Sequence, residues 1–302
     1  MLNVGSGFYC FLSNKNGKMI LSNMEMEVVL MEYDIRSRAS AMVFLTSVTG
    51  YTKDEIISIW EEDAQQDIEI FWGYGQDAVL SEDYRDMNII CFHILGSLDE
   101  CREIKENGLR NLRYVLAENT ILNRLLNKAG IVFDIPQSRL VFGQKVWNID
   151  YNLIKGQLFF PEAQVEIARR INTDCCINAF LAHDNPCDYG DNICRRPEIL
   201  KDLADLIPEA KSVEKFWRKK STSYLVTALV HMDQIQLFSF IDYLSPASDS
   251  EDVMVLKGMI KLAFDRYYGI GTDDGLIIYM KDDAIIRPEQ ILTCEKIVIK
   301  KS

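Results

Sequence analysis

The groups able to do chemistry in this chain are few enough to weigh singly. There are three histidines, His93, His183 and His231, and eight cysteines, Cys10, Cys91, Cys101, Cys175, Cys176, Cys187, Cys194 and Cys294. A cysteine hydrolase needs a thiol paired in space with an imidazole, and no spacing here selects such a pair. The segment CCINAFLAHDNPCDYGDNIC gathers Cys175, Cys176, His183, Cys187 and Cys194, all of zinc-ligand type. It has no C-x-x-C knuckle, and Cys175 and Cys176 point to opposite faces if they lie in a strand, so no metal is predicted. The P-loop, G-x-G-x-x-G, G-x-S-x-G and H-E-x-x-H patterns are absent, which removes the commonest nucleotide, hydrolase and protease readings. RRPEIL, residues 195–200, sets two cations at a helix start against the dipole, either an anion contact or an exposed arginine pair.

Three segments remain. His93 sits in MNIICFHIL, a run of β-formers followed by a helix that ends in an ENGL turn; NAFLAHDNPCDYG carries Phe180-Leu181-Ala182 and then Tyr189; DDGLIIYMKDDAIIRPEQI places Asp274 and Gly275 before an apolar strand. Together they resemble the ADP-ribosyltransferase fold, in the branch containing poly(ADP-ribose) polymerases and bacterial toxins that modify nucleic acid. The resemblance spans 87–298 and rests on short motifs. It implies NAD as substrate in a cleft between two small sheets, with His93 on the ribose and Phe180 or Tyr189 against the nicotinamide. It also implies a carboxylate near the reacting sugar, which the family supplies as a glutamate directly before the closing strand. Here that position reads Gly275, with Asp274 just upstream and Glu289 and Glu295 beyond the strand. Phenylalanine also stands where the family has tyrosine.

Release of nicotinamide develops positive charge on the ribose, and a carboxylate stabilises that charge electrostatically. Two outcomes therefore stay open. One is an NAD-dependent transferase acting on a macromolecular acceptor, with His93 and Asp274 as its catalytic groups. The other is a non-catalytic binding protein that keeps the fold and has lost the acid. Each residue also has a plainer role: His93, between Phe92 and Ile94, fits a core histidine bonded to backbone; Phe180 fits the core; Asp274, in GTDDG, fits a turn.

The elements that would position these residues mix helix and strand without a regular βα repeat, which predicts an α+β fold; the resemblance implies split antiparallel sheets with flanking helices within it. Ser22 and Asn23 can cap a helix whose apolar stripe runs from Val28 to Leu45, and Thr52 with Glu55 forms a capping box for another that reaches Phe71. GYGQDAVLSEDYRD, 73–86, reads as a linker, dividing a helical unit, 1–86, from the transferase-like unit, 87–302. In the second unit, Ser97 and Glu100 form a capping box and Gly108 a helix stop. Short helices are predicted over 112–118 and 120–128. Strands joined by tight turns follow over 131–151, then a helix from Pro161, a strand at 175–182, helices at 197–207 and 213–219, strands SYLVTALVH and QIQLFSF, a helix at 252–267, and strands GLIIYMK and ILTCEKIVI.

The bulk numbers set the frame. A 302-residue chain can bury a large core, and 48% hydrophobic residues with 26% charged describe a folded protein. No apolar run approaches the roughly 18 residues a membrane-spanning helix needs, the N-terminus lacks secretory-signal character, and scattered cysteines read as reduced thiols. A cytoplasmic location is the expectation. A net charge of −12 disfavours wrapping nucleic acid or lying on an anionic membrane, while leaving room for a local basic patch.

Overall fold

The computed structural model describes residues 31–62, 67–79, 84–187, 193–242, 244, 249–270 and 275–298; the anticipated Ser22/Asn23 cap lies outside these. Nine strands are described. In chain order they are β1 Glu32–Tyr33, β2 Asn88–Ser97, β3 Ile131–Asp134, β4 Arg139–Phe142, β5 Lys145–Asn148, β6 Asn178–Ala182, β7 Thr222–His231, β8 Leu276–Tyr279 and β9 Ile291–Lys296. The main sheet has the order β8-β6-β2-β7-β9, with β1 adding in parallel beside the start of β2. The other pairings in it are antiparallel, and β3-β4-β5 form a separate antiparallel meander. The architecture is α+β.

The spine is the ladder of β2 with β7, which runs unbroken from Asn88–His231 to Ser97–Thr222. Both strands are near-continuous β-formers, the composition of a strand covered on both faces. The helix Glu251–Tyr268 lies in the main core with Ile89, Cys91, Val226 and Ala228 of these strands. Its Gly258 is a steric requirement: a Cβ there would stand 2.2 Å from the Phe240 carbonyl oxygen. A second core is built from the helices Leu112–Ala117, Ile121–Lys128, Glu162–Asn172, Ile199–Leu206 and Lys211–Lys220 together with the meander.

Several elements differ from expectation, each for a local reason. The boundary anticipated at 86/87 does not divide the molecule, because Met31–Ser302 forms one compact unit. The helices Arg38–Thr49, Lys53–Glu62 and Ile68–Val79 share the main core: Trp60 stacks on Phe264 at 3.8 Å, and Phe71 meets the same ring edge-on. Much of the supposed linker is the helix Ile68–Val79, held by buried Ile68, Phe71 and Trp72. The first described helix begins at Arg38, where Ser37 and Ser40 form its capping box, and Glu32–Tyr33 pair as strand within the stretch anticipated as helical. QIQLFSF contributes one bridge, Ile235 to Met280, and then the helical turn Phe238–Ile241. There the Gln236 side chain donates to the Met280 carbonyl and Ser239 Oγ accepts from the Tyr279 amide, in place of a ladder.

Other expectations hold. Glu55 accepts from the Thr52 amide at 2.8 Å, completing that box. The 112–128 helices are capped by Asn111 and Thr120. No described helix is long and apolar enough to cross a membrane.

Candidate functional site

β2 and β6 pair at Phe92–Phe180 and part beyond it. His93 fills the start of the split, with Nδ1 2.7 Å from the Asn178 carbonyl oxygen. Desolvation by burial lowers the imidazole pKa, against the opposing pull of that backbone bond, so the ring is neutral near pH 7. With Nδ1–H donating to Asn178, Nε2 is left as an acceptor, and His93 lines the cavity that opens there.

The cavity measures about 610 Å³ and lies where the two cores meet, within the range of small-molecule sites. One wall is His93 to Gly96 of β2 with Asn178 to Phe180 of β6 and Ile277 and Tyr279 of β8; the other includes Arg110, Arg169, Arg170, Asp174 and Arg196 to Ile199. Four arginines line it. Arg169 pairs with Glu166 and Asp174, Arg170 with Glu198 and Asp202, and Arg196 with Glu214. Arg110 differs: it donates to the Asn107 carbonyl at 3.1 Å and lies over the Tyr114 ring, with no carboxylate partner among the described residues. It is the cation of this wall best placed for an anionic ligand.

The Asn178 side chain is held from both ends. Its amide donates to Asp174 at 3.4 Å and its oxygen accepts from Cys176 Sγ at 3.3 Å. Burial, aided by the nearby Asp174 carboxylate, pushes the Cys176 thiol up to about 11, which leaves it protonated and a poor nucleophile. Buried Cys91 and Cys101 are both pushed up to about 12 for the same first reason.

Phe180 lines the cavity but is 5% exposed. It stacks on Phe92 with ring centres 5.5 Å apart and meets His183 edge-on at 5.3 Å. Its third neighbour is Gly275, where φ is +82° and a Cβ would stand 2.8 Å from Phe180 and 2.7 Å from His183. The glutamate position of the resemblance thus has no room for a side chain. Tyr189 and Asp274 lie outside the described residues. Glu295 is on β9, the sheet edge opposite β8, and Glu289 is in the turn before it.

His183 Nδ1 accepts from the Asn185 amide, and His231 caps the turn Met232–Gln234. Among the described residues no group of three or more histidine, cysteine or acidic side chains is arranged to hold a metal. Arg110, Asp174, Asn178 and Tyr279 escape sequence reasoning because they come from separate segments that only the tertiary fold brings to one cavity. The one signal was Asn178 at the head of the motif already singled out. No family model, curated protein or solved structure matches the chain.

Proposed function

We propose that the cavity binds NAD and that residues 87–302 form an ADP-ribosyltransferase-like fold acting on a macromolecular acceptor. The observation that carries this reading is adjacency. The three segments that resemble the family fall on β2, β6 and β8, three neighbouring strands, although the chain separates them by up to 180 residues. His93 Nε2, a neutral acceptor, would accept a hydrogen bond from a hydroxyl of the nicotinamide ribose. Arg110 would face the pyrophosphate, and Phe180 would back the nicotinamide as an edge of the wall. NAD would supply the glycosidic bond that breaks; Asp274, directly before Gly275, would set its carboxylate against the charge that develops on the sugar.

A second reading, a binding protein without catalysis, has its own observation: the packing of Gly275 against Phe180 and His183 leaves no space for the family's glutamate. Calorimetry of NAD with the wild type and with His93→Ala tests the shared premise. Binding by the wild type with at least about tenfold loss in the mutant, as expected for deleting a buried hydrogen-bond partner, supports the cleft; no binding by folded wild type removes both NAD readings. Nicotinamide release that is lost in Asp274→Asn while NAD binding persists selects the transferase. Binding with no release selects the second reading.

A further inference from the structure

The helix Lys211–Lys220, KSVEKFWRKK, carries five cations and one carboxylate in a chain of net charge −12. Its inward face is committed. Val213 and Trp217 are buried in the second core, Trp217 Nε1 donates to the Gly96 carbonyl at 2.9 Å, and Glu214 pairs with Arg196 at 2.9 Å. Gly96 and Arg196 both line the cavity, so this helix braces the cavity wall from behind. Its outward face is free: helical spacing puts Ser212, Lys215, Phe216 and Lys219 together, all exposed, with Phe216 at 46%. Lys211, Lys215, Lys219 and Lys220 form no ion pair among the described residues, and Glu214 is engaged by Arg196 and Arg218.

We propose that this face is a docking surface for a single-stranded polynucleotide, held by its phosphates on Lys215, Lys219 and their neighbours and by one base stacked on Phe216. Charge complementarity argues for it: an acidic molecule repels a polyanion elsewhere, and such a patch orients the strand on this face. Lysines flanking an exposed aromatic are the pairing a flexible strand uses, because every base has a face to stack. A membrane surface fits poorly, since a helix lying on lipid inserts its apolar face and here that face is spent on Gly96 and the core. The binding stands apart from the NAD reading; only the further step, that the docked strand is the acceptor, rests on it.

The test is fluorescence anisotropy of the full-length protein with a labelled oligothymidylate of about 20 nucleotides, longer than one such module's footprint, across a salt series. Wild type is expected to bind with affinity falling as salt rises, by about 0.7 in the log–log slope per phosphate neutralised. K215E/K219E should weaken binding at least tenfold and flatten that slope, and Phe216→Ala should weaken it about fivefold or more, with circular dichroism of both variants unchanged. Absence of binding by wild type, equal binding by the variants, equal affinity for a duplex of the same length, or capture of anionic phosphatidylserine vesicles in place of the oligonucleotide would each overturn the proposal. NAD calorimetry on K215E/K219E reads the cavity separately, so failure of one idea is distinguishable from failure of the other.

Discussion

His93 accepts a hydrogen bond through Nε2 only while neutral, and its burial has a cost that pH reveals. The folded pKa lies below the ordinary imidazole value of about 6.5, with desolvation as the first cause. Above that value both folded and unfolded chains carry a neutral ring; below it the unfolded chain takes a proton that the native site refuses, so stability is lost as pH falls. Thermal melts should show Tm decreasing from pH 7 to 5.5, with the stability lost through this group at most roughly 1.4 kcal/mol per pH unit, and His93→Gln should show a shallower decrease. Parallel curves would refute it. Gly275 makes a second case at this scale. Gly275→Ala combines a left-handed backbone with a collision against Phe180 and His183, together about 2–4 kcal/mol. Gly143→Ala, at φ +59° with nothing within 4 Å, should cost only the backbone part, about 1–2 kcal/mol; urea titrations of the two would separate them. The positions of His93 and Phe180 on strands were legible from β-forming runs. Their partners were not, since the Asn178 carbonyl and Gly275 come close only through strand divergence and the bulge at Phe180–Ala182.

Among the elements, a start signal was read well where the capping residue directly precedes the apolar stripe, as at Thr52, while Asn111 and Thr120 cap helices whose spans alone were anticipated. Such a signal misled where a strand overran it. Ser97 remains the last residue of β2, Glu100 and Cys101 take positive φ, and the helix Arg102–Asn107 starts later. There Asp99 accepts from the Glu103 amide at 2.8 Å and from Ser97 Oγ at 2.8 Å. Asp99→Ala should therefore destabilise by about 1 kcal/mol while Glu100→Ala changes little, the reverse of what an S-x-x-E box would give; chemical denaturation of the two single mutants decides between them. The QIQLFSF segment shows the same limit from the other side. A β-forming composition cannot announce that Gln236 and Ser239 will bond the neighbouring strand through their side chains.

At the scale of the molecule, the polar 73–86 stretch looked like a seam because the buried anchors Ile68, Phe71 and Trp72 precede it and Tyr84 lies close to its end. The structure makes the early helices part of the sheet's own cover. A fragment covering 87–302 should accordingly be unstable, because it bares the face of Phe264 on which Trp60 stacks; dye binding to exposed apolar surface and loss of cooperative melting are the expected signs. Trp60→Ala in the full chain should cost about 3–5 kcal/mol, measured by denaturant titration. The α+β class was readable from the mixture of elements, but the presence of two cores with a cavity at their meeting was not, since periodicity reports which residues are buried and never against what. That meeting place also has a built-in lamp. Trp217 belongs to the second core and bonds the Gly96 carbonyl of the first sheet, so its emission responds to any rearrangement between the two cores. The difference between wild type and Trp217→Phe would isolate that signal from the other three tryptophans, and filling or emptying of the cavity becomes something to be watched in solution without a label.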